Sequence, residues 1–187
     1  MGRQRACTVR FGALFILGRE GVEMKTLCLV RHAKSSWEDS TLYDRERPLD
    51  ARGERDVAKM SKRWPRRHSK PDLILSSPAV RALATATALA EGLGHKHNRI
   101  MVDDRLYAAS ESALIAIIEA LEDKLERVMV VGHNPGLANL ARHFSSEIIG
   151  MPTCAIAEFT FDVKRWSGVG RAKPARSAFD TPKQLAE

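Results

Sequence analysis

The sequence predicts an α/β fold, a three-layer α/β/α sandwich around a mostly parallel central sheet. From Met24 onward, short runs of β-branched and apolar residues alternate with longer stretches whose apolar residues recur every three or four positions. Most of the runs are continuously apolar rather than alternating, the pattern of strands covered on both faces. The helical stretches open on capping residues or prolines, as helix starts do.

Residues 26–30 (TLCLV) read as a buried strand that ends directly at Arg31 and His32, and a polar loop follows through Pro48. Asp50 is placed to cap a helix from Ala51 to about Arg63, with Val57, Met60 and Trp64 on one face and Pro65 closing it. Residues 72–76 (DLILS) form a second strand, and Ser77-Pro78 then begin a helix through about Leu93, ended by Gly92 and Gly94. Residues 99–102 (RIMV) are a third, short strand, followed by a polar turn with Asp103, Asp104 and Tyr107. Ser110 caps a helix whose stripe of Leu114, Ile117, Ile118, Leu121 and Leu125 is core. Residues 127–131 (RVMVV) run into Gly132-His133-Asn134-Pro135, with Pro135 in the first turn of a helix to about Phe144. Residues 155–163 (AIAEFTFDV) alternate and make a last strand, more exposed on one face.

A chain of 187 residues with 44% hydrophobic residues supports a single core. Residues 1–23 are expected to be an unstructured extension, Met24 being an alternative start; residues 24–163 form the domain; residues 164–187, rich in Gly, Pro, Ser and basic residues, are expected to be a mobile basic tail. The formal net charge of +7 lies in the ends: residues 1–25 carry +3 and residues 164–187 carry +4, leaving a neutral body. A nucleic-acid partner is therefore not expected, since its basic stripe belongs on a folded face. The run 62–70 (KRWPRRHSK) reads as a charged helix end and its loop.

Cys7, Cys28 and Cys154 are odd in number and free of any CxxC spacing, which reads as free thiols in a reducing compartment. No stretch approaches the roughly 20 apolar residues of a membrane-spanning helix, and residues 1–23 lack the cleavage site of a signal peptide. A cytoplasmic monomer with no membrane partner is expected. His95 and His97 in GLGHKHN stand without carboxylate or cysteine company, so neither a metal nor a cofactor is expected.

His32 and His133 each follow a buried-type strand, where ligands bind in open α/β sheets. Arg81 lies in the first turns of the helix after the second strand and Arg31 beside His32, so two guanidinium forks and two imidazoles are expected around one space. Planar guanidinium binds phosphoryl oxygens bidentately and stays charged. The helix starts behind Ser77-Pro78 and His133-Asn134-Pro135 add backbone donors, and put Ser77 and Asn134 among the expected binding residues. Positive surroundings push the His32 pKa down, leaving a neutral imidazole nucleophile.

These residues stand in recognisable motifs. LCLVRHAKSSW resembles the RHG-type signature of the histidine phosphatase superfamily in its RHA form, SSPAVRALATA its SxxxRAxxTA segment, VVGHNPGLANLA its second-histidine segment, and RERPLDARGERDV its RPLTxxG element. The set is most similar to the SixA-type phosphohistidine phosphatase branch and spans most of residues 25–162. The resemblance implies a phosphoglycerate mutase-like fold, attack by His32 on phosphorus, phosphoryl binding by Arg31, Arg81 and His133, and Arg47 lining the pocket mouth. Gly53 falls where the family has a glycine and suggests close packing or a site contact.

Superfamily members that cleave esters carry an acid after the third strand. Here VDDRLYAASES offers Asp103, Asp104 and Glu111, none clearly in that role. An imidazole leaving group needs little acid help, which favours phosphohistidine in a protein, such as a histidine phosphotransfer protein, as substrate. A small-molecule phosphomonoesterase or mutase using Asp103 or Asp104 stays open as the alternative, and a non-catalytic phosphate-binding module is a third reading.

Overall fold

The structure is a computed structural model that describes residues 24–66, 69–95 and 100–184. A six-stranded sheet runs β3-β2-β4-β1-β5-β6, built from β1 (Lys25–Arg31), β2 (Leu73–Ser76), β3 (Ile100–Val102), β4 (Arg127–Gly132), β5 (Ile156–Phe161) and β6 (Arg176–Asp180). β1 to β4 pair in parallel, and β5 runs antiparallel to both β1 and β6. One strand of six therefore opposes the rest, and the mostly parallel sheet of the phosphoglycerate mutase-like fold is present.

Strand periodicity divides the core into two layers. Leu27 and Leu29 of β1 and Val128 and Val130 of β4 face α3 (Glu111–Glu119) and α4 (Gly136–Phe144); Cys28, Val30, Met129 and Val131 face α1 (Ala51–Arg63) and α2 (Val80–Gly92). Because both faces are covered, residues 27–30 of β1 and 128–131 of β4 are apolar without a break. Among the described residues no helix is long and apolar enough to cross a membrane.

The caps explain the helix starts. Asp50 accepts from Gly53 N at 2.7 Å, and Ser110 accepts from Ala113 N at 3.2 Å. α2 begins at Val80, two residues later than the Ser77-Pro78 start expected from proline, because Ser77 is still bound to the sheet through its N–H to Val131 O at 2.9 Å. α3 ends at Glu119, and Leu121 and Leu125 pack on the core from the loop beyond it.

The C-terminal segment corrects the expected domain boundary. Residues 164–187 are not a mobile tail through their described length: a 3-10 helix, Trp166–Arg171, leads into β6, which closes the sheet beside β5. Trp166 and Val169 are fully buried, and the Trp166 indole donates to Leu125 O at 2.8 Å. Arg63, read as part of a charged helix end, is buried and grips Asp180 bidentately at 2.6 and 3.0 Å, with further bonds to Thr181 O and Gln184 O. The few apolar residues of this segment do their packing singly, so no period announces them. β5 is accordingly not the last strand. The extension, residues 1–23, lies outside the described residues.

Candidate active site

The C-terminal ends of β1, β2 and β4 lie side by side, and the loops leaving them carry the chemistry. Arg31 is paired with Gly132 across β1 and β4, and His32 N–H donates to Gly132 O at 3.1 Å. This register sets His32 and His133 side by side, with ring centroids 5.0 Å apart and the ring planes tilted by 56°. Cys154, in the left-handed region at φ 61°, donates its N–H to the carbonyls of both Arg31 and His32 at 3.1 Å, and so fixes the strand exit from a third side.

The His32 ring has a partner on each nitrogen. Nδ1 lies 2.7 Å from Ala33 O, and Nε2 lies 3.3 Å from Arg81 Nε, whose N–H donates to it. A carbonyl only accepts, so the proton sits on Nδ1 and the Nε2 lone pair faces the cleft. Burial pushes the His32 pKa down to about 4; the cations Arg81 and Arg31 push the same way, while the Ala33 bond opposes them. The imidazole is neutral near pH 7 as expected, although burial outweighs the cations as the cause.

His133 is also held down to about 4, by burial and then by His32 and Arg81. Its Nε2 is 2.7 Å from Ser77 Oγ, which in turn accepts from Ala79 N at 3.3 Å. Ser77 therefore orients His133. Thr85 Oγ1 accepts from Ala33 N at 3.0 Å and donates to Arg81 O at 2.7 Å, coupling α2 to the loop after β1. Sequence reasoning passed over Thr85, although it lies one turn after Arg81 on the same helix face.

The cations differ in how they are engaged. Arg31 Nη1 donates to Met151 O at 2.8 Å, while its buried Nε has no hydrogen-bond partner among the described residues. Asn134 Nδ2 also donates to Met151 O, at 3.0 Å, so Asn134 shapes the wall of the cleft. Arg47 is buried and its donors go to Ser36 O, Ser35 Oγ and Asp44 Oδ1, with its guanidinium 3.1 Å from the Trp37 ring centroid. The resemblance put Arg47 at the pocket mouth; it reaches the cleft through Asp44.

Asp44 is, beside Thr85, a group that sequence reasoning missed. It takes Arg81 Nη2 at 2.7 Å and the Tyr107 hydroxyl at 2.8 Å on Oδ2, and its carbonyl accepts from Arg81 Nη1. Burial acts to raise its pKa, but the bonds from Arg81, Tyr107 and Arg47 outweigh this and hold it at about 2. The Tyr107 ring stands edge-on to His133 with centroids 5.4 Å apart. No spacing links Asp44 to Arg81, 37 positions later, so only the fold could reveal the pair.

The carboxylates that the segment after the third strand offers, none clearly an acid from the sequence, are occupied elsewhere. Asp103 is bound by Arg105, Asp104 pairs with Arg45 at the surface, and Glu111 pairs with His143 at 3.2 Å. His95 is buried against Pro71 O at 2.7 Å, and His97 lies outside the described residues. Among the described residues no three His, Cys, Asp or Glu side chains are grouped to hold a metal.

A family model, the histidine phosphatase superfamily (branch 1), matches residues 27–107, the stretch from β1 through Tyr107 that contains Arg31, His32 and Arg81. The chain belongs to the histidine phosphatase superfamily. Within this superfamily its likeness is to the SixA type. The fold of a SixA protein from Agrobacterium tumefaciens, assigned as a phosphohistidine phosphatase, matches with a TM-score of 0.68 at 27% identity over 82% of this chain and 97% of that one. A protein histidine phosphatase SixA complexed with tungstate matches with a TM-score of 0.69 at 22% identity, over 84% and 97% of the two chains. An uncharacterised chloroplastic protein of Arabidopsis thaliana is 31% identical over 141 residues, 71% of this chain and 65% of its own length. The chain spans slightly under two thirds of that plant relative's length.

Proposed function

We propose that the protein is a phosphatase that works through a covalent phosphohistidine on His32 and takes phosphohistidine in a protein as its substrate. The observation that carries this reading is the pairing of both His32 nitrogens, which leaves a neutral ring with its Nε2 lone pair in the cleft beside Arg81.

In the first step His32 Nε2 attacks phosphorus, the bond to the leaving nitrogen breaks, and the electron pair departs with that nitrogen. Arg81 Nε–H transfers its hydrogen bond from Nε2 to a phosphoryl oxygen, and Arg31 Nε and His133 face the remaining oxygens. In the second step water attacks phosphohistidine-32, the pair returns to Nε2, and the proton of water leaves with phosphate. Through both steps Ala33 O holds the Nδ1 proton and stabilises the cationic ring of the intermediate.

The substrate class rests on the acids. Asp103, Asp104 and Glu111 are engaged by Arg105, Arg45 and His143 rather than by His32 or His133, and Asp44, at about 2, carries no proton to give near neutral pH. An alkoxide leaving group lacks a carboxylic acid here; an imidazole needs none. The structural likeness to SixA proteins, one of them holding tungstate, a tetrahedral oxyanion, supports the same reading. A histidine phosphotransfer protein fits as substrate, and the buried free thiols Cys28 and Cys154 suit a reducing compartment such as the cytoplasm.

Rates on a phosphohistidine protein, an aryl phosphate and a sugar phosphate test the proposal with wild type and His32→Ala. Phosphohistidine should turn over at least tenfold faster than either ester, the alanine variant should be inactive, and a chelator should leave the rate unchanged. Ester turnover equal to phosphohistidine turnover overturns the substrate, and activity retained in His32→Ala overturns the covalent route.

A further inference from the structure

In-line displacement places the leaving nitrogen on the side of phosphorus away from His32 Nε2, toward the solvent side of the cleft. Asp44 occupies that side. Its side chain is 51% exposed whereas that of Arg81, which it contacts, is 7% exposed. One guanidinium therefore separates the carboxylate at the rim from the nucleophile in the floor: Arg81 Nη2 meets Asp44 Oδ2 and Arg81 Nε meets His32 Nε2. Tyr107 and Arg47 fix the carboxylate from two further directions.

A negative charge at the mouth of a phosphate site is otherwise a liability, because the incoming phosphoryl oxygens are anionic and compete with it for Arg81. It becomes an advantage only when the rest of the substrate is positive. A ring-protonated phosphohistidine is such a substrate: one ring nitrogen bears phosphorus, the other bears a proton, and the imidazolium is cationic.

We propose that Asp44 is the specificity determinant for the leaving group, accepting the free ring N–H of protonated phosphohistidine, and this rests on the phosphohistidine reading given above. The phosphoryl group takes the Arg81 Nη donors that Asp44 holds in the free protein, and the released carboxylate turns to the imidazolium. When the P–N bond breaks, its electron pair neutralises the ring, which leaves as neutral imidazole still protonated on its other nitrogen. No proton moves in this step, so an ionised Asp44 that cannot act as an acid is suited to it. The held carboxylate favours cationic leaving groups and disfavours neutral or anionic ones.

Asp44→Asn and Asp44→Glu are measured for kcat/KM on a phosphohistidine peptide and on an aryl phosphate, with tungstate affinity as the check on the pocket. In Asp44→Asn the ratio of phosphohistidine to aryl phosphate kcat/KM should fall at least tenfold, tungstate should bind as tightly as to wild type or tighter, and Asp44→Glu should restore most of the ratio. An unchanged ratio, whether both rates fall or neither does, overturns the proposal, and so does tungstate binding weakened tenfold, which would make Asp44 only a prop for Arg81. If wild type turns over phosphohistidine and the ratio is unchanged, only the role of Asp44 fails; if wild type does not prefer phosphohistidine, the substrate reading fails and takes this one with it.

Discussion

The Nε of Arg81 and the Nε2 of His32 lie 3.3 Å apart, with the guanidinium N–H donating to the ring. This contact assigns the tautomer of His32 and positions Arg81 before substrate arrives. A lysine at 81 would keep the charge but lose the planar fork that reaches His32 and two acceptors on Asp44 at once. Arg81→Lys is therefore expected to lower kcat/KM by roughly 10²- to 10³-fold, the scale of losing one preorganised donor to transition-state charge. Steady-state kinetics on phosphohistidine checks it; a loss under tenfold would show that charge alone suffices.

The two depressed histidines set the acid limits of both activity and stability. With His32 and His133 at about 4, the nucleophile stays neutral down to roughly pH 4 to 5, so the acid limb of kcat/KM should fall there and not near the ordinary histidine value of about 6.5. For stability the sign follows from proton uptake: between about 4 and 6.5 the unfolded chain binds protons that the folded rings refuse. The contribution is therefore complete above about pH 6.5 and is lost as pH falls through the folded values, on the order of 3 kcal/mol for the His32 ring. Urea unfolding from pH 7 to pH 4 measures it. A flat profile would contradict the burial of these rings.

Gly53 joins the first helix to the loop after the nucleophile. A Cβ built there would stand 2.1 Å from Lys34 O, a backbone atom two residues beyond His32 that also accepts from Asp50 N at 3.0 Å. Gly53→Ala must push the helix and loop apart, costing about 1–3 kcal/mol as overpacking does. Both thermal stability and kcat should fall; a change in neither would mean the loop moves freely.

These particulars show what was legible beforehand. Strands β1, β2 and β4 read clearly because burial on both faces leaves each an unbroken apolar run, residues 27–30, 73–75 and 128–131. Arg31, His32, Arg81 and His133 read clearly because each sits at a fixed offset from a strand end. Asp44 did not, because it lies in a polar loop whose partners are distant in sequence and its role depends on how that loop folds back on α2. The last strand was hidden for a different reason: β6 is an edge strand with its first three residues exposed, its pattern broken by Arg176 and Ser177, as edges protected from aggregation are.

The C-terminal segment should accordingly be indispensable to folding. Trp166 is fully buried beneath α3 and bound through both its backbone and indole N–H groups, to Asp123 at 2.9 Å and to Leu125 at 2.8 Å. Trp166→Ala removes a large core side chain and is expected to cost about 3–5 kcal/mol. Arg63→Ala acts from the other face: it strands Asp180, which Arg63 holds bidentately, and frees the end of β6. Truncation after residue 163 removes both anchors and uncovers the outer edge of β5, so the shortened chain should unfold or aggregate in conditions where the full chain is folded. Circular dichroism and urea melts of the three variants decide this. A truncated chain that melts cooperatively at the full-length midpoint would restore the basic tail to the dispensable appendage its composition suggests.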